Sequence, residues 1–115
     1  MYSPQVLEHF KNPRNVGELD APARTVEVVN PACGDILRLS VRFDSGAITE
    51  IAFKARGCTA SIAAGSALTE ILLGKSEKDL GFVTAAMIEA AVGGLPPESK
   101  HVASLCEDAV RALMK

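Results

Sequence analysis

The spacing of apolar residues changes period twice along the 115-residue chain. Ser3 before Pro4 supplies a cap and a first-turn proline, and Val6, Leu7 and Phe10 recur on one side before Asn12-Pro13. That pattern predicts a short helix of about two turns. Arg14 to Pro22, with Gly17 and two acidic residues, reads as a loop. The period then drops to two. Val26 and Val28 alternate with Thr25 and Glu27, and Leu37, Leu39, Val41 and Phe43 alternate with Arg38, Ser40 and Arg42. After the turn at Asp44-Ser45-Gly46, Ile51, Phe53 and Ala55 alternate with Glu50, Ala52 and Lys54. Three strands on short links predict an antiparallel meander with one apolar face and one wet face.

Beyond Arg56-Gly57 the pattern is helical to the end of the chain. A helix from about Ser61 to Leu73 stops at Gly74, and Ser76 opens a short acidic turn. Thr84 caps a helix running through Val92, which Gly93-Gly94 and Pro96-Pro97 terminate. The last helix starts near Ser99 and carries Val102, Leu105, Ala109 and Leu113 as an apolar stripe, with Cys106 and Val110 on its flank. Strands first and helices after, without alternation, predict an α+β fold. Its small three-stranded antiparallel sheet should carry helices packed on one face, with a short N-terminal helix before it. No repeat or linker divides the sequence, so residues 1–115 are expected to form a single domain.

Composition narrows the function. Hydrophobic residues make up 48% of the chain and charged residues 23%, a globular balance. With no Trp, one Tyr and four Phe, the core must be built from Ala, Val, Ile and Leu, and no aromatic platform can stack bases. A net charge of −2 also argues against a phosphate-backbone binder, so no nucleic acid partner is expected. No basic leader with an apolar run opens the chain, and no segment approaches the roughly 20 apolar residues of a membrane span. A cytoplasmic protein is therefore expected. Three cysteines, odd in number and widely spaced, fit reduced thiols in that compartment better than a disulfide framework.

Position divides those thiols. Cys33 lies in Asn30-Pro31-Ala32-Cys33-Gly34-Asp35, on a turn between two strands, with a carboxylate two residues on. Cys58 lies where the third strand hands over to a helix, and helix starts present free N–H groups to an anion such as a thiolate. Strand ends meeting a helix start can assemble a widely spaced metal site. The alternative is that each thiol is a small buried hydrophobe. Taken alone, His101, in the first turn of the last helix, and His9, on the first helix, read as surface histidines. Cys106, beside the apolar stripe, suits core packing at least as well as chemistry.

These fragments resemble, in order and spacing, the iron–sulfur cluster assembly scaffold family of the IscU or NifU N-terminal type. The likeness rests on Tyr2-Ser3 through Phe10-Lys-Asn-Pro-Arg-Asn-Val-Gly17, on Asn30-Pro-Ala-Cys-Gly-Asp35, and on Gly57-Cys58-Thr-Ala-Ser61 running to Ser66-Ala-Leu-Thr-Glu70. Gly93-Gly-Leu-Pro-Pro97, Lys100-His101 and Glu107-Asp108-Ala109 extend it over nearly the whole chain. The resemblance implies a scaffold or carrier rather than an enzyme. It would hold a [2Fe-2S] cluster, take sulfur from a cysteine desulfurase, and pass the cluster to acceptor apo-proteins. It also implies a ligand set, of which Cys33, Asp35, Cys58 and His101 occupy motif positions.

Two departures stand out. The family places a cysteine directly after the histidine, where this chain has Val102, and its third thiol, Cys106, replaces a small residue four positions on. Four helical residues carry a thiol about 6 Å along the axis, so either the helix shifts to bring the displaced Cys106 to the site, or the site does without it, or full scaffold activity is lost. The expected site is therefore Cys33, Asp35, Cys58 and His101, a donor set that also suits a single Zn²⁺. A divergent zinc-binding relative that meets the desulfurase without building clusters is the alternative reading. An enzyme with a Cys-His nucleophile and base is a weaker one, since the sequence shows no sign of a substrate pocket. Leu95-Pro96-Pro97-Glu98-Ser99, with Lys100 one place late, departs from the family's Leu-Pro-Pro-Val-Lys. That departure argues against recognition by an Hsp70-type chaperone.

Overall fold

A computed structural model describes residues 1–115. Helix α1 (Pro4–Lys11) starts at Ser3, whose hydroxyl accepts the Val6 amide and donates to the Val92 carbonyl. Strands β1 (Arg24–Asn30), β2 (Asp35–Asp44) and β3 (Ala47–Arg56) form an antiparallel sheet in the order β1-β2-β3. Helix α2 (Thr59–Leu72) follows, then a 3₁₀ segment (Glu77–Phe82), α3 (Ala85–Ala91), a short 3₁₀ turn (Pro97–Ser99) and α4 (His101–Leu113). The α+β arrangement expected from the alternating and helical periods is the one observed.

The register explains which face is buried. Leu39 opposes both Val26 and Phe53, and Val41 opposes Ile51, so the odd positions of β2 and β3 form one apolar face. Helices α2 and α4 cover that face, making one continuous core with Val6, Leu68, Leu72, Ile88, Val102 and Leu113. α2 contributes mostly small residues, and its Gly65 sits against the Phe53 ring. A close helix-to-sheet approach replaces the aromatic bulk the chain lacks.

The opposite sheet face is less wet than the alternation predicts. Ser40 and Ala52 lie on it yet are buried. Arg38 pairs with Glu18 and Glu27, and Arg42 donates to the Asp20 carbonyl, so the loop after α1 lies across that face. The same loop closes the β3 edge: Phe53 donates its amide to Asn15, and Gly17 donates back to the Phe53 carbonyl, both at 2.8 Å. A stretch read as loop thus satisfies backbone groups that an open edge would leave to solvent.

His9 is also corrected. Only 9% exposed, it packs against α2, with Nδ1 2.8 Å from the Ser66 hydroxyl and Nε2 3.5 Å from Glu70. Burial and the neighbouring Arg14 guanidinium hold its pKa below the ordinary value, against the pull of Glu70 and Glu8. No helix is long and apolar enough to cross a membrane.

Candidate metal centre

One end of the sheet assembles the candidate chemistry. The turn between β1 and β2 carries Cys33, exposed, and is closed by the Gly34 amide donating to the Asn30 carbonyl at 2.7 Å. Gly34 has φ +76°, a conformation that favours glycine and lets the chain reverse immediately after the thiol. Asp35 then opens β2 and is only 6% exposed. A buried carboxylate requires partners. It has two: the Ser61 hydroxyl donates to Oδ2 at 3.1 Å, and His101 Nε2 lies 3.0 Å from the same oxygen.

Each partner arrives from a different element. Ser61 lies in the first turn of α2, and His101 is the first residue of α4, aimed by the 3₁₀ turn that follows Pro96. The Cys33 sulfur, an Asp35 oxygen and a His101 ring nitrogen lie within 4.8 Å of one another. Thiolate, carboxylate and imidazole together make a borderline-soft donor set suited to iron or zinc. Cys58, the N-cap residue of α2, is half-buried outside this trio, with its sulfur 3.5 Å from the Ser61 hydroxyl. Three of the four expected ligands therefore converge directly, and the fourth is joined to them through one serine.

Gly57 makes the junction sterically feasible. A Cβ there would stand 2.6 Å from both Asp35 Oδ1 and the Ser61 hydroxyl. The backbone passes so close to the carboxylate–serine pair that only hydrogen fits. Ser61 received no role from the sequence reading. Its signal was a polar residue three positions after Cys58 in a mostly apolar helix, but only the fold shows that it faces Asp35. Beside the site, Asn30, Pro31, His101, Ser104 and Asp108 line an open cleft of about 270 Å³ between β1 and α4.

A sequence model of the family described as "NifU-like N terminal domain" matches residues 1–115. The chain belongs to this family. Among relatives of this NifU-like domain, "Iron-sulfur cluster assembly scaffold protein IscU 1" of Archaeoglobus fulgidus is 38% identical over 111 residues. The match covers 96% of this chain and 72% of that protein. "Iron-sulfur cluster assembly scaffold protein IscU" of Haemophilus influenzae is 41% identical over 115 residues, covering 96% of this chain and 90% of the relative. A crystal structure titled as a putative iron-sulfur cluster assembly scaffold protein for the SUF system, from Fervidobacterium islandicum AW-1, superposes with a TM-score of 0.83. It covers 99% of this chain and 96% of that one, at 20% identity, and so attests the fold.

Within this NifU-like domain Cys106 lies in the core. It is 1% exposed, and burial pushes its thiol pKa up to about 12. Val102 is equally buried, and α4 runs unbroken from His101 to Leu113, with no shift that would carry Cys106 toward Asp35. The segment before α4 is committed as well. Leu95 is buried, and Lys100 Nζ lies 2.7 Å from Glu89, whose carboxyl it holds below the ordinary value.

Proposed function

We propose that this chain is a scaffold on which a [2Fe-2S] cluster is assembled and from which it is passed to acceptor apo-proteins. Cys33, Asp35, Cys58 and His101 would be the cluster ligands. The observation that carries this reading is the meeting of Cys33, Asp35 and His101 within 4.8 Å at the solvent-facing end of the sheet. Relatives named as iron–sulfur cluster assembly scaffolds support it.

The cluster is cargo, and the donor geometry suits cargo. Two thiolates, one carboxylate and one imidazole bind iron less firmly than four thiolates, which favours release. Exposed Cys33 is the thiol placed to accept sulfur from a cysteine desulfurase, since attack requires access. The role requires no substrate turnover by the chain itself. On this reading the work belongs in a reducing compartment, the cytoplasm, where site thiols stay reduced.

Anaerobic reconstitution with ferrous iron, cysteine and a desulfurase tests the proposal. Near-stoichiometric iron and sulfide with a sulfide-to-iron charge-transfer spectrum is expected. Retention of Zn²⁺ with no such spectrum would overturn it in favour of a zinc-binding relative.

A further inference from the structure

Ser61 has unusual commitments for a helical serine. Buried serines in helices commonly return their hydroxyl to a carbonyl one turn back. The Ser61 hydroxyl instead crosses to Asp35 Oδ2 at 3.1 Å, and the Cys58 sulfur lies 3.5 Å from the same hydroxyl. It is 4% exposed, so water does not substitute for those partners. The space it occupies is kept open by Gly57. Both of its side-chain partners are proposed cluster ligands, and no other hydroxyl bridges two of them.

We propose that Ser61 is a positioning residue whose hydroxyl redirects its single donated hydrogen bond from Asp35 to the Cys58 sulfur when the two residues turn to a metal. The inference rests on the ligand assignment above. A hydroxyl carries one proton and two lone pairs. While it donates to Asp35, the Cys58 sulfur can contact it only as S–H donor. When Cys58 binds metal its thiol proton is released to solvent buffer, and the Ser61–sulfur contact then survives only if Ser61 donates to sulfur. Asp35 then loses that donor and is freed to face the metal. No bond other than hydrogen bonds is made or broken at Ser61. Hydrogen bonds to ligating sulfur orient the ligand and tune the site, and their loss typically weakens metal binding on the order of 10- to 100-fold.

Titration with Co²⁺, whose thiolate charge-transfer bands report each bound sulfur, tests this on the full chain. Ser61→Ala is expected to weaken Co²⁺ binding about 10-fold or more and to move the charge-transfer band to longer wavelength, because an unbonded sulfur is a better electron donor. Ser61→Thr, which keeps the hydroxyl, should restore both. In a Cys58→Ala background, Ser61→Ala should leave the remaining Cys33 band where it is. A Ser61→Ala band coincident with wild type, or a band shift that persists without Cys58, overturns the inference. Absence of any thiolate band in the wild-type protein would instead overturn the ligand assignment beneath it. Thermal melting of the apo variants separates these outcomes from misfolding, and if the Thr variant fails to fold, the Cys58 background comparison decides.

Discussion

At the residue scale, the three thiols separate by environment. Burial raises the Cys106 pKa to about 12, so its thiolate fraction at pH 8 is about one in ten thousand. Iodoacetamide at pH 8 is expected to label Cys33 and Cys58 in the native protein, with a third label only after denaturation, as read by intact mass. Cys106→Ala should leave Co²⁺ or Zn²⁺ affinity unchanged while costing about 1 kcal/mol of stability for the lost packing. Loss of metal binding in that variant would show that α4 moves on loading. Gly57→Ala belongs to the same scale but behaves oppositely. Its Cβ at 2.6 Å from Asp35 and Ser61 must displace one of them. Metal affinity is expected to fall about 10-fold or more, as for a lost outer-shell partner.

At the scale of elements, two packing contacts make opposed forces measurable. Gly65 to Ala in mid-helix gains about 1 kcal/mol of helix propensity. Its Cβ, however, would lie 2.6 Å from the Phe53 ring, which is 1% exposed and has nowhere to retreat. Overpacking costs about 1–3 kcal/mol, so a net loss of stability is expected in urea unfolding. The α1–α2 contact is pH-dependent through His9. Its folded pKa lies below the unfolded value of 6.5, so the unfolded chain binds the proton more readily. The His9 contribution is therefore complete above about pH 6.5 and is lost as pH falls toward and through the folded value. Melting temperature should decline over that window, and His9→Gln should flatten part of the decline. The periods announced these elements well: Ser3, Thr84, Gly74 and the alternating strands are local signals that act locally. His9 was unreadable because its burial comes from Ser66, 57 residues away. The wet sheet face was unreadable because Glu18 and Asp20 cover it from a loop without period.

At the scale of the whole molecule, the site was partly legible and partly not. Cys33, Asp35, Cys58 and His101 stand in motif blocks, and the displacement of the third thiol could be counted along α4. That Cys58 reaches the others through Ser61 could not be counted, because a helix start and a strand start meet only in three dimensions. The donors come from the β1–β2 turn, β2, α2 and α4, and Asp35 and His101 are 66 residues apart. A metal held by them is a cross-link across more than half the chain. It binds the folded form, so at a hundredfold excess over its Kd it adds about 2.7 kcal/mol. The core beneath is continuous and apolar without it. A bound metal is expected to tie the end of the sheet to α2 and α4, read as a rise in melting temperature.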